Sequence, residues 1–593
     1  MLFSEVAEYF AKVEETASRL SMSGLVAELL GKCEQGEIRP LIYIIEGNVA
    51  PTHEGLDIGI GEKFAIRAIA QTSGRNEKET LADYKKSGDL GTTAENLLSK
   101  KSQMSLASSP NTLSKTYATF VKIAKLSGTG SQESKISLLS ELLNGATPVE
   151  ARYLVRFCLG KLRLGIGDPS IIDALSMMKH EDKTDKIVLE RAYNLCSDLG
   201  EVAEFYVAGK NLSHFSAQPF KPIRPALAER LPNAAEIIEK LCSPPKGSET
   251  DAKSESAPTR KCAVEAKYDG LRMQVHVANG KVDIYSRKLE KMTHMFPEIT
   301  EAAKKLKAKS AIFEGEALAF NEKEKKYYSF QQTIQRKRKY GIDAMAKEFP
   351  LRLFVFDIMY LNGKDLTLDT YSKRRATLEK VFRKTEPLVP SQLIYTNDPK
   401  KLDEYFTSLV GEGLEGIIAK DLSQPYVAGA RKFAWIKLKK SYGELADTVD
   451  AVIVGYYLGK GQRQEFEFGG LLVAVRNDET DELETIAKIG SGFSEDEMRS
   501  FEKMLDEIKV KEKPRGVNSK LVPDFWVKPK YVISVGADEI TLSPMHTCGL
   551  VGETGYALRF PRMMSLREDK GPDEATTTKE IIGMFEMQKH RGE

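Results

Sequence analysis

The sequence contains little cysteine, with six residues in a chain of 593, and no two of them form a CxxC pair. Zinc modules and disulfide frameworks need closely spaced cysteines, so this scatter argues against both and favours a reducing compartment. Apolar runs long enough to span a bilayer are missing, and the N-terminal segment lacks the basic start of a signal peptide. We therefore expect a cytoplasmic protein that makes no membrane contact.

An excess of one charge is also missing, because 87 basic residues balance 85 acidic ones and the formal net charge is +2. Any nucleic-acid surface must therefore be local. Hydrophobic residues at 41% and charged residues at 29% are typical of a globular protein. Since a single core stops growing at roughly 250 to 300 residues, the length predicts about three domains.

Apolar residues near the N-terminus recur every three or four positions, at Val6, Phe10, Val13, Ala17 and Leu20. This spacing is typical of helices and predicts an all-α domain over residues 1–242. Residues 243–260 contain three prolines, several serines and no large apolar side chain, so they cannot bury enough surface to order themselves. We interpret them as a flexible linker.

Beyond the linker the hydrophobic period changes to two. Leu271, Met273 and Val275 alternate with polar residues, which is typical of a strand with one buried face. Strands and helices then mix, and they predict an α+β domain over residues 261–440. The short β-rich runs that follow favour a small β-barrel with a C-terminal tail over residues 441–593.

An Asn-Gly pair at residues 279–280 predicts a two-residue hairpin. In that register Val275 faces Ile284 on the core side, and on the other side Arg272 faces Arg287. Two opposed arginines repel each other unless an anion lies between or above them. The hairpin therefore indicates an anion site.

A second turn signal, the Asp-Gly pair at residues 269–270, places Lys267 opposite Arg272 if it also closes a tight turn. Lys267 would then join the arginine row, with Glu265 one pleat away. The alternative is a solvated hairpin face, whose charged residues only keep the outer side of the sheet wet.

Later strands add further candidates. Glu314 and Glu316 lie two residues apart on one face of a strand, and paired carboxylates suit a divalent cation. Phe354 and Phe356 also share a face, and the alternative interpretation is that both belong to the core. Glu415 precedes a glycine and an apolar strand. Farther on, two lysines share one face of residues 431–440, at positions 437 and 439.

These segments resemble the successive motifs of the nucleotidyltransferase superfamily of ATP-dependent DNA ligases, RNA ligases and mRNA capping enzymes. They occur in the superfamily's order: KYDGLR (267–272), SR (286–287), EGE (314–316), FVFDIMY (354–360), EGIIAK (415–420), WIKLK (435–439) and RFPRMMSLREDK (559–570). The last motif, with the helical segments 153–167 and 222–231, is most similar to replicative archaeal and eukaryotic DNA ligases. The resemblance implies a helical DNA-binding domain, an α+β adenylylation domain and a C-terminal OB-fold β-barrel.

By this resemblance Lys267 is the nucleophile that attacks the α-phosphate of ATP, releases pyrophosphate and retains AMP on its side-chain nitrogen. Only a neutral amine can attack. We expect Arg272, Arg287 and a bound cation to hold phosphate and to favour the neutral form of Lys267.

The resemblance also implies the remaining contacts. Glu265 accepts a hydrogen bond from the adenine amino group, Phe356 stacks on adenine, and Glu316 contacts the ribose or a metal. Glu316 and Glu415 hold Mg2+, which neutralises charge on the transferring phosphoryl group. Contacts to the nucleotide and its phosphates, or to the leaving pyrophosphate, are implied for Arg431, Lys437, Lys439, Arg567, Asp569 and Lys570.

The implied activity is ATP-dependent sealing of nicks in duplex DNA during replication, repair and recombination. DNA would be gripped through its phosphates, and the turn at residues 165–167 beside Lys161 and Arg163 is a candidate contact. The alternative is that this turn only connects two helices. A sliding clamp stays open as a partner, although residues 103–107 lack the aromatic residues of clamp-binding segments. We expect a monomer associated with the nucleoid.

Two alternatives remain open at this stage. An RNA ligase or capping enzyme would share the Lys267 chemistry but would not need a helical domain of about 240 residues. A non-catalytic DNA-binding scaffold should have lost the nucleophile or the metal carboxylates, whereas Lys267, Glu316 and Glu415 are all present.

Overall fold

The structure is a computed structural model, and it describes residues 1–16, 18–34, 36–100, 109–243, 260–321, 326–328, 330–338, 340–383, 385–439, 448–458 and 469–589. The chain divides into two compact units. The first comprises Met1–Ser216 with Lys221–Arg224, and the second comprises Ala217–Phe220 with Pro225–Glu593.

The first unit is helical, as predicted. Its helices are α1 (Phe3–Glu15), α2 (Arg19–Gly31), α3 (Ile38–Glu46), α4 (Glu62–Ser73), α5 (Glu77–Ser87), α6 (Leu90–Ser99), α7 (Leu113–Lys125), α8 (Ser131–Asn144), α9 (Pro148–Cys158), α10 (Asp168–His180), α11 (Lys186–Cys196) and α12 (Leu199–Val207). Short 3-10 turns lie at Thr52–Glu54 and Leu212–His214.

Local sequence explains where these helices begin. Side-chain oxygens of Asn76, Asp89 and Thr112 each accept a hydrogen bond from a backbone N–H in the first turn of the following helix. Thr147 and Glu150 form a reciprocal capping box at the start of α9. The predicted helical spacing holds as far as Val13 in α1, but the chain caps and restarts, so Leu20 lies on α2 with 62% of its surface exposed.

The second unit contains the remaining elements. Its strands are β1 (Leu227–Arg230), β2 (Cys262–Lys267), β3 (Leu271–Ala278), β4 (Lys281–Tyr285), β5 (Ser310–Asn321), β6 (Lys326–Tyr327), β7 (Leu351–Leu361), β8 (Lys364–Asp365), β9 (Leu388–Pro390), β10 (Leu393–Thr396), β11 (Gly416–Asp421), β12 (Arg431–Lys439), β13 (Val449–Tyr457), β14 (Gly470–Arg476), β15 (Leu483–Ile489), β16 (Lys509–Val510), β17 (Val517–Asn518), β18 (Phe525–Val527), β19 (Val532–Gly536), β20 (Glu539–Ser543), β21 (Cys548–Val551), β22 (Thr554–Arg559) and β23 (Arg562–Leu566). Its helices are α13 (Ala234–Cys242), α14 (Pro297–Lys304), α15 (Phe330–Thr333), α16 (Ile342–Glu348), α17 (Tyr371–Val381), α18 (Pro399–Gly411), α19 (Glu495–Asp506) and α20 (Thr578–Lys589), with 3-10 turns at Thr293–Met295, Ile334–Arg336 and Pro572–Glu574.

Two sheets build the α+β part of this unit. One has the strand order β1-β12-β11-β2-β10, and the other has the path β4-β3-β5-β7-β8. Helix α13 packs against β2, β11 and β12 in the core of the first sheet, and α14 and α17 pack against the second. The α+β prediction is therefore confirmed.

The C-terminal part of the unit is a β domain, as predicted. Strand β13 lies at its centre and pairs with β14, β18 and β19, and a smaller sheet follows in the order β20-β22-β21. The predicted barrel takes the form of curled half-barrels in the described residues.

The hairpin predicted at residues 279–280 forms with the expected register, because Val275 pairs with Ile284. The ladder ends at Gln274 opposite Tyr285, so the predicted Arg272–Arg287 cross-strand pair is wrong. The solvated-face alternative is also wrong, since Gln274 is only 3% exposed on that side of the strand.

The tight turn predicted at residues 269–270 is wrong as well. Strands β2 and β3 belong to different sheets, so Lys267 does not lie opposite Arg272 in a hairpin. The chain crosses from one sheet to the other at Gly270, where an added Cβ would collide with the carbonyl oxygen of Ala317. Only glycine fits this close approach.

The helical unit is shorter than the predicted domain of residues 1–242. Strand β1 pairs with β12, and Ile237 and Leu241 of α13 are buried in the core of the second unit. The predicted linker at residues 243–260 lies almost entirely outside the described residues, as does the predicted boundary at residue 440. The four-segment division therefore stays a prediction.

Within the described part of the chain, no helix is both long enough and apolar enough to cross a membrane.

One buried ion pair ties α17 to β7. The Arg374 guanidinium donates to both Asp357 carboxylate oxygens, at 2.7 and 3.0 Å, and neither side chain is exposed. Removing one partner of such a pair leaves a buried charge without compensation. We expect Asp357→Ala to lower the free energy of unfolding of the second unit by about 3–5 kcal/mol.

Urea unfolding followed by tryptophan fluorescence measures this loss, because both tryptophans, Trp435 and Trp526, lie in the second unit. The control is Lys364→Ala, which breaks the exposed Lys364–Asp369 pair and should cost no more than about 1 kcal/mol. Equal losses in the two variants would contradict the prediction.

Candidate active site

A cavity of about 170 Å3 in the second unit gathers most of the predicted site residues. Strands of both α+β sheets line it, together with the segment that follows β23. The predicted residues on its wall are Glu265, Lys267, Arg272, Arg287, Glu316, Phe356, Glu415, Lys437, Lys439, Arg567, Asp569 and Lys570. Arg431 begins β12 opposite Leu227, and its side chain is outside the described residues.

The nucleophile candidate Lys267 lies at the end of β2, beside the start of β11. The Glu415 N–H donates to the Lys267 carbonyl oxygen at 3.1 Å. Gly416 has φ +151°, and an added Cβ would collide with the carbonyl oxygen of Leu438. Glycine at this position therefore lets the strands approach closely enough to set Glu415 beside Lys267.

Two lysines share the Glu415 carboxylate. Lys267 Nζ donates to Oε2, and Lys439 Nζ lies 2.5 Å from Oε1. Burial favours the neutral acid, but the ammonium groups of Lys267 and Lys439 outweigh it and hold the pKa of Glu415 well below its ordinary value. This carboxylate is therefore ionised at neutral pH, and it orients both amines.

Glu316 lies in the same cavity but has a different environment. Burial raises the pKa of its carboxyl to about 8, against the attraction of Lys267 and Arg272. No hydrogen bond or ion pair to the Glu316 carboxyl is found among the residues that the structure describes. A carboxyl on a cavity wall without a partner is a group that a ligand can satisfy.

The other carboxylate of that strand has a structural role. Glu314 is 1% exposed, and it accepts hydrogen bonds from Arg272 at 2.8 Å, Tyr426 at 2.7 Å and Gln274 at 3.1 Å. Arg272 also donates to the Ala226 carbonyl oxygen at 2.9 Å. The inference that Glu314 and Glu316 form a paired cation site is therefore wrong, because Arg272, Tyr426 and Gln274 already occupy Glu314.

One end of the cavity is aromatic. The rings of Phe356 and Trp435 meet edge to face with centroids 5.9 Å apart, and the Arg272 guanidinium lies 5.3 Å from the Phe356 centroid. Phe354 instead stacks on Tyr268 inside the core. Each of the two predicted alternatives therefore holds for one phenylalanine. Phe354 is a core residue, and Phe356 lines the cavity.

Glu265 lies at this aromatic end and is 2% exposed. Its carboxylate accepts a hydrogen bond from the Tyr371 hydroxyl and an ion pair from Lys420 at 3.0 Å. The Arg375 guanidinium lies 3.7 Å away. Sequence analysis missed Lys420, Tyr371 and Arg375 as neighbours of the site, and the only signal was that Lys420 ends the EGIIAK motif.

Carboxylates from the C-terminal segment pair with two of the predicted phosphate-binding cations. Glu574 accepts from Arg287 Nε, and Glu580 lies 3.5 Å from Lys437 Nζ. Farther along the same wall, Arg567 makes two hydrogen bonds to Asp569, at 2.9 and 2.8 Å. The cavity thus supplies internal counter-charges for its cations.

The oxygen donors of the cavity suit Mg2+ only in part. Among the described residues, no group of three or more histidine, cysteine or acidic side chains could hold a metal ion. Mg2+, however, commonly binds through one or two carboxylates together with substrate phosphates. Glu316, which lacks a partner, and Glu415 meet that requirement as carboxylates on the cavity wall.

Three family models match the chain. They are described as DNA ligase N terminus over residues 2–176, ATP dependent DNA ligase domain over residues 225–439, and ATP dependent DNA ligase C terminal region over residues 464–570.

Curated relatives match nearly the whole chain. A protein of Dictyoglomus turgidum named "Probable DNA ligase" is 46% identical over 595 residues, with 99% of this chain and 98% of that protein covered. A DNA ligase of Saccharolobus solfataricus is 38% identical over 605 residues, with the same coverage. A solved structure of a mycobacterial DNA ligase D complexed with ATP and MES is 23% identical and covers 60% of this chain and 97% of its own, with a TM-score of 0.35.

The raised pKa of Glu316 predicts a pH-dependent cost to folding. The ordinary value is 4.5 and the folded value is about 8, so between these the folded state binds a proton that the unfolded state has lost. Stability therefore falls as pH rises through this window. We expect Glu316→Gln to raise the melting temperature, and to raise it more at pH 8 than at pH 6, because glutamine cannot ionise.

Thermal unfolding at the two pH values measures this difference. The control is Glu301→Gln, at an exposed position outside the cavity. A melting-temperature change in Glu316→Gln that is the same at both pH values would contradict the prediction.

Proposed function

The chain belongs to the ATP-dependent DNA ligase family, and on that premise we propose that it seals nicks in duplex DNA through AMP carried on Lys267. The observation that carries this proposal is the position of the Lys267 amine. It lies on the wall of a cavity that has cations for phosphates beside it and an aromatic end with Glu265.

In the first step ATP is the co-substrate. Lys267 first loses one ammonium proton to water, and its neutral amine attacks the α-phosphorus. The N–P bond forms, the bridging P–O bond to the β-phosphate breaks, and the nitrogen releases a second proton to water to give the phosphoramidate. Pyrophosphate leaves with the electron pair of that bond. Because Glu415 orients Lys267 through the hydrogen bond described above, the amine is positioned before ATP arrives.

Adenine occupies the aromatic end in this proposal. Phe356 stacks on the base, and the Glu265 carboxylate accepts a hydrogen bond from the 6-amino group. Glu316 faces the ribose or a metal. An acceptor-only group at this place favours a base with a donor at position 6.

Cations of the cavity hold the phosphates. Arg272, Arg287 and Lys437 line its wall, and Lys439 shares Glu415 with the nucleophile. We assign a further contact to Arg431 by its place in the motif order, and we assign the orientation of pyrophosphate to Arg567, Asp569 and Lys570.

Glu316 and Glu415 would hold Mg2+ together with the phosphates. The ion, when bound, neutralises negative charge on the transferring phosphoryl group. Glu415 can bind Mg2+ only after its contacts with Lys267 and Lys439 are weakened, because each of its carboxylate oxygens already contacts one of these amines.

Transfer to DNA completes the reaction. AMP moves to the 5′-phosphate at the nick, and the 3′-hydroxyl then attacks that phosphorus and expels AMP. The helical unit would bind the duplex, with Lys161 and Arg163 as candidate phosphate contacts. These two side chains now pair with Glu62 at 3.3 Å and Asp89 at 3.3 Å, so a DNA phosphate would have to replace those partners.

We assign the protein to replication, repair and recombination, as a monomer at the nucleoid. A sliding clamp stays a possible partner in this proposal, and the clamp-binding candidate at residues 103–107 lies outside the described residues.

A labelling experiment tests the first step. The protein, freed of any bound AMP with pyrophosphate, is incubated with Mg2+ and ATP labelled at the α-phosphate. We expect label that survives denaturation and is released by acid, as a phosphoramidate is. Lys267→Ala should take no label, whereas Lys373→Ala, at an exposed position on α17, should match the wild type.

The same preparation tests the acceptor. Nicked duplex DNA should convert the label into free AMP and yield a sealed strand, and nicked duplex RNA should not. Labelled protein that seals only RNA would contradict the DNA assignment, and unlabelled wild-type protein would contradict the whole proposal.

Because Glu574 and Glu580 pair with two of the proposed phosphate-binding cations, we expect them to compete with ATP for these cations. Glu574→Gln with Glu580→Gln removes the carboxylates that now pair with Arg287 and Lys437, so we expect a lower KM for ATP in self-adenylylation. The change should be on the order of a few-fold, as for partly exposed ion pairs, and larger at low salt.

The matched control is Glu553→Gln, which changes an exposed glutamate of the same domain. A double variant with the wild-type KM at both low and high salt would show that these carboxylates do not compete with the nucleotide.

A further inference from the structure

Lys420 is a buried lysine that the proposed mechanism does not use. Its side chain is 1% exposed at the end of β11. Burying an ammonium group is costly unless each N–H finds a partner. The contacts of this residue therefore call for an explanation.

Protein groups surround the Lys420 ammonium. Nζ lies 3.0 Å from Glu265 Oε2 and donates to the Phe356 carbonyl oxygen at 3.1 Å. It also lies over the Trp435 ring, 4.2 Å from the centroid, and over the Tyr371 ring at 4.7 Å. The ammonium has three donors; two oxygen atoms accept from it, and aromatic rings cover the remaining side. Lys420 therefore acts on the other residues of the aromatic end rather than on a phosphate.

We propose that Lys420, with Tyr371, is a specificity-determining positioning residue: its ion pair holds the Glu265 carboxylate in place as an acceptor for the base, so that the cavity accepts 6-amino purines and rejects 6-oxo purines. The proposal rests on the proposed function, in which Glu265 meets the adenine 6-amino group.

The chemistry of the base explains the selection. Adenine presents an amino donor at position 6, and an ionised carboxylate can accept from it. A 6-oxo purine presents an acceptor there, and two acceptors repel each other. A neutral carboxylic acid, however, could donate its O–H to the 6-oxo group. Discrimination therefore depends on the charge of Glu265.

Two cations and several hydroxyl groups lie near Glu265. They are Lys420 on β11, Tyr371 and Arg375 on α17, Tyr268 after β2, Tyr395 on β10 and Tyr405 on α18. Lys420 is the nearer of the two cations, at 3.0 Å against 3.7 Å for Arg375. Burial lowers the pKa of Lys420, and the carboxylates of Glu265 and Asp357 act in the opposite direction. Removing Lys420 should therefore release the Glu265 carboxylate from its nearer cation.

The test compares self-adenylylation by ATP and by inosine triphosphate, both labelled at the α-phosphate. Inosine carries the 6-oxo group without the 2-amino group of guanine, so the two nucleotides differ at the position that Glu265 reads. Taking the ratio of the two rates cancels any pH effect on the Lys267 amine.

We expect Lys420→Met to lower the preference for ATP by about tenfold or more, because Glu265 loses the ion pair that holds it as an acceptor for the 6-amino group. Lys420→Arg keeps the charge and should keep the preference. Glu265→Gln, which carries a permanent donor, should lose the preference at every pH.

Two further variants separate specificity from structure. Lys439→Met removes a lysine of the same cavity near Lys267 and should slow both nucleotides equally. Tyr371→Phe removes only a neutral donor from Glu265 and should shift the preference in the same direction as Lys420→Met, by less. It keeps the proposal testable if Lys420→Met does not fold.

A preference for ATP that is unchanged in Lys420→Met and Tyr371→Phe at every pH would overturn the inference, while labelling by ATP would still support the proposed function. An equal loss of rate with both nucleotides would also overturn it, since Lys420 would then have a structural role only. Absence of label from ATP in the wild type would instead overturn the proposed function itself.

Discussion

The shared carboxylate of Glu415 is the interaction on which the site depends. It joins Lys267 at the end of β2 to Lys439 at the end of β12, and it lies directly before β11, the strand between these two. The close approach at Gly416 makes this possible, because any side chain there would push the strands apart. The nucleophile is thus oriented by the sheet itself, before a substrate binds, which reduces the ordering that the reaction must still impose.

Sequence patterns predicted the order of the helical, α+β and β regions, and most of the predicted site residues lie on the cavity wall. The period-two pattern around Val275 and the Asn-Gly turn were sufficient for the hairpin, because local turn chemistry fixes its register. The same reasoning failed at residues 269–270, because a long-range choice between two sheets decided that turn. The pairing of Glu314 with Arg272 and Tyr426 was also beyond reach, since these residues are far apart along the chain.

Burial explains why the cavity needs so many paired charges. Lys420, Glu265 and Glu314 are almost fully enclosed, and each has at least two polar partners. Such a network is stable only if nearly every member is satisfied. Glu316, on the same cavity wall and less enclosed, has no hydrogen-bond partner for its carboxyl among the described residues, and burial raises the pKa of that carboxyl to about 8. At the end of the site proposed for the base, the buried polar groups have hydrogen-bond or ion-pair partners. Near the nucleophile, the Glu316 carboxyl lacks one among the described residues.

The two glutamates of the C-terminal segment have a consequence for small anions. Glu574 and Glu580 lie on one short stretch of chain, so when a ligand displaces one of them the other can still hold the segment in place. An ion with a single phosphate can replace only one of these two carboxylates. The other carboxylate stays paired with its own cation and repels the ion. A triphosphate chain can replace both at once, and its effective local concentration at the second cation is high after the first contact. The segment should therefore favour the binding of polyphosphates over anions that carry a single phosphate.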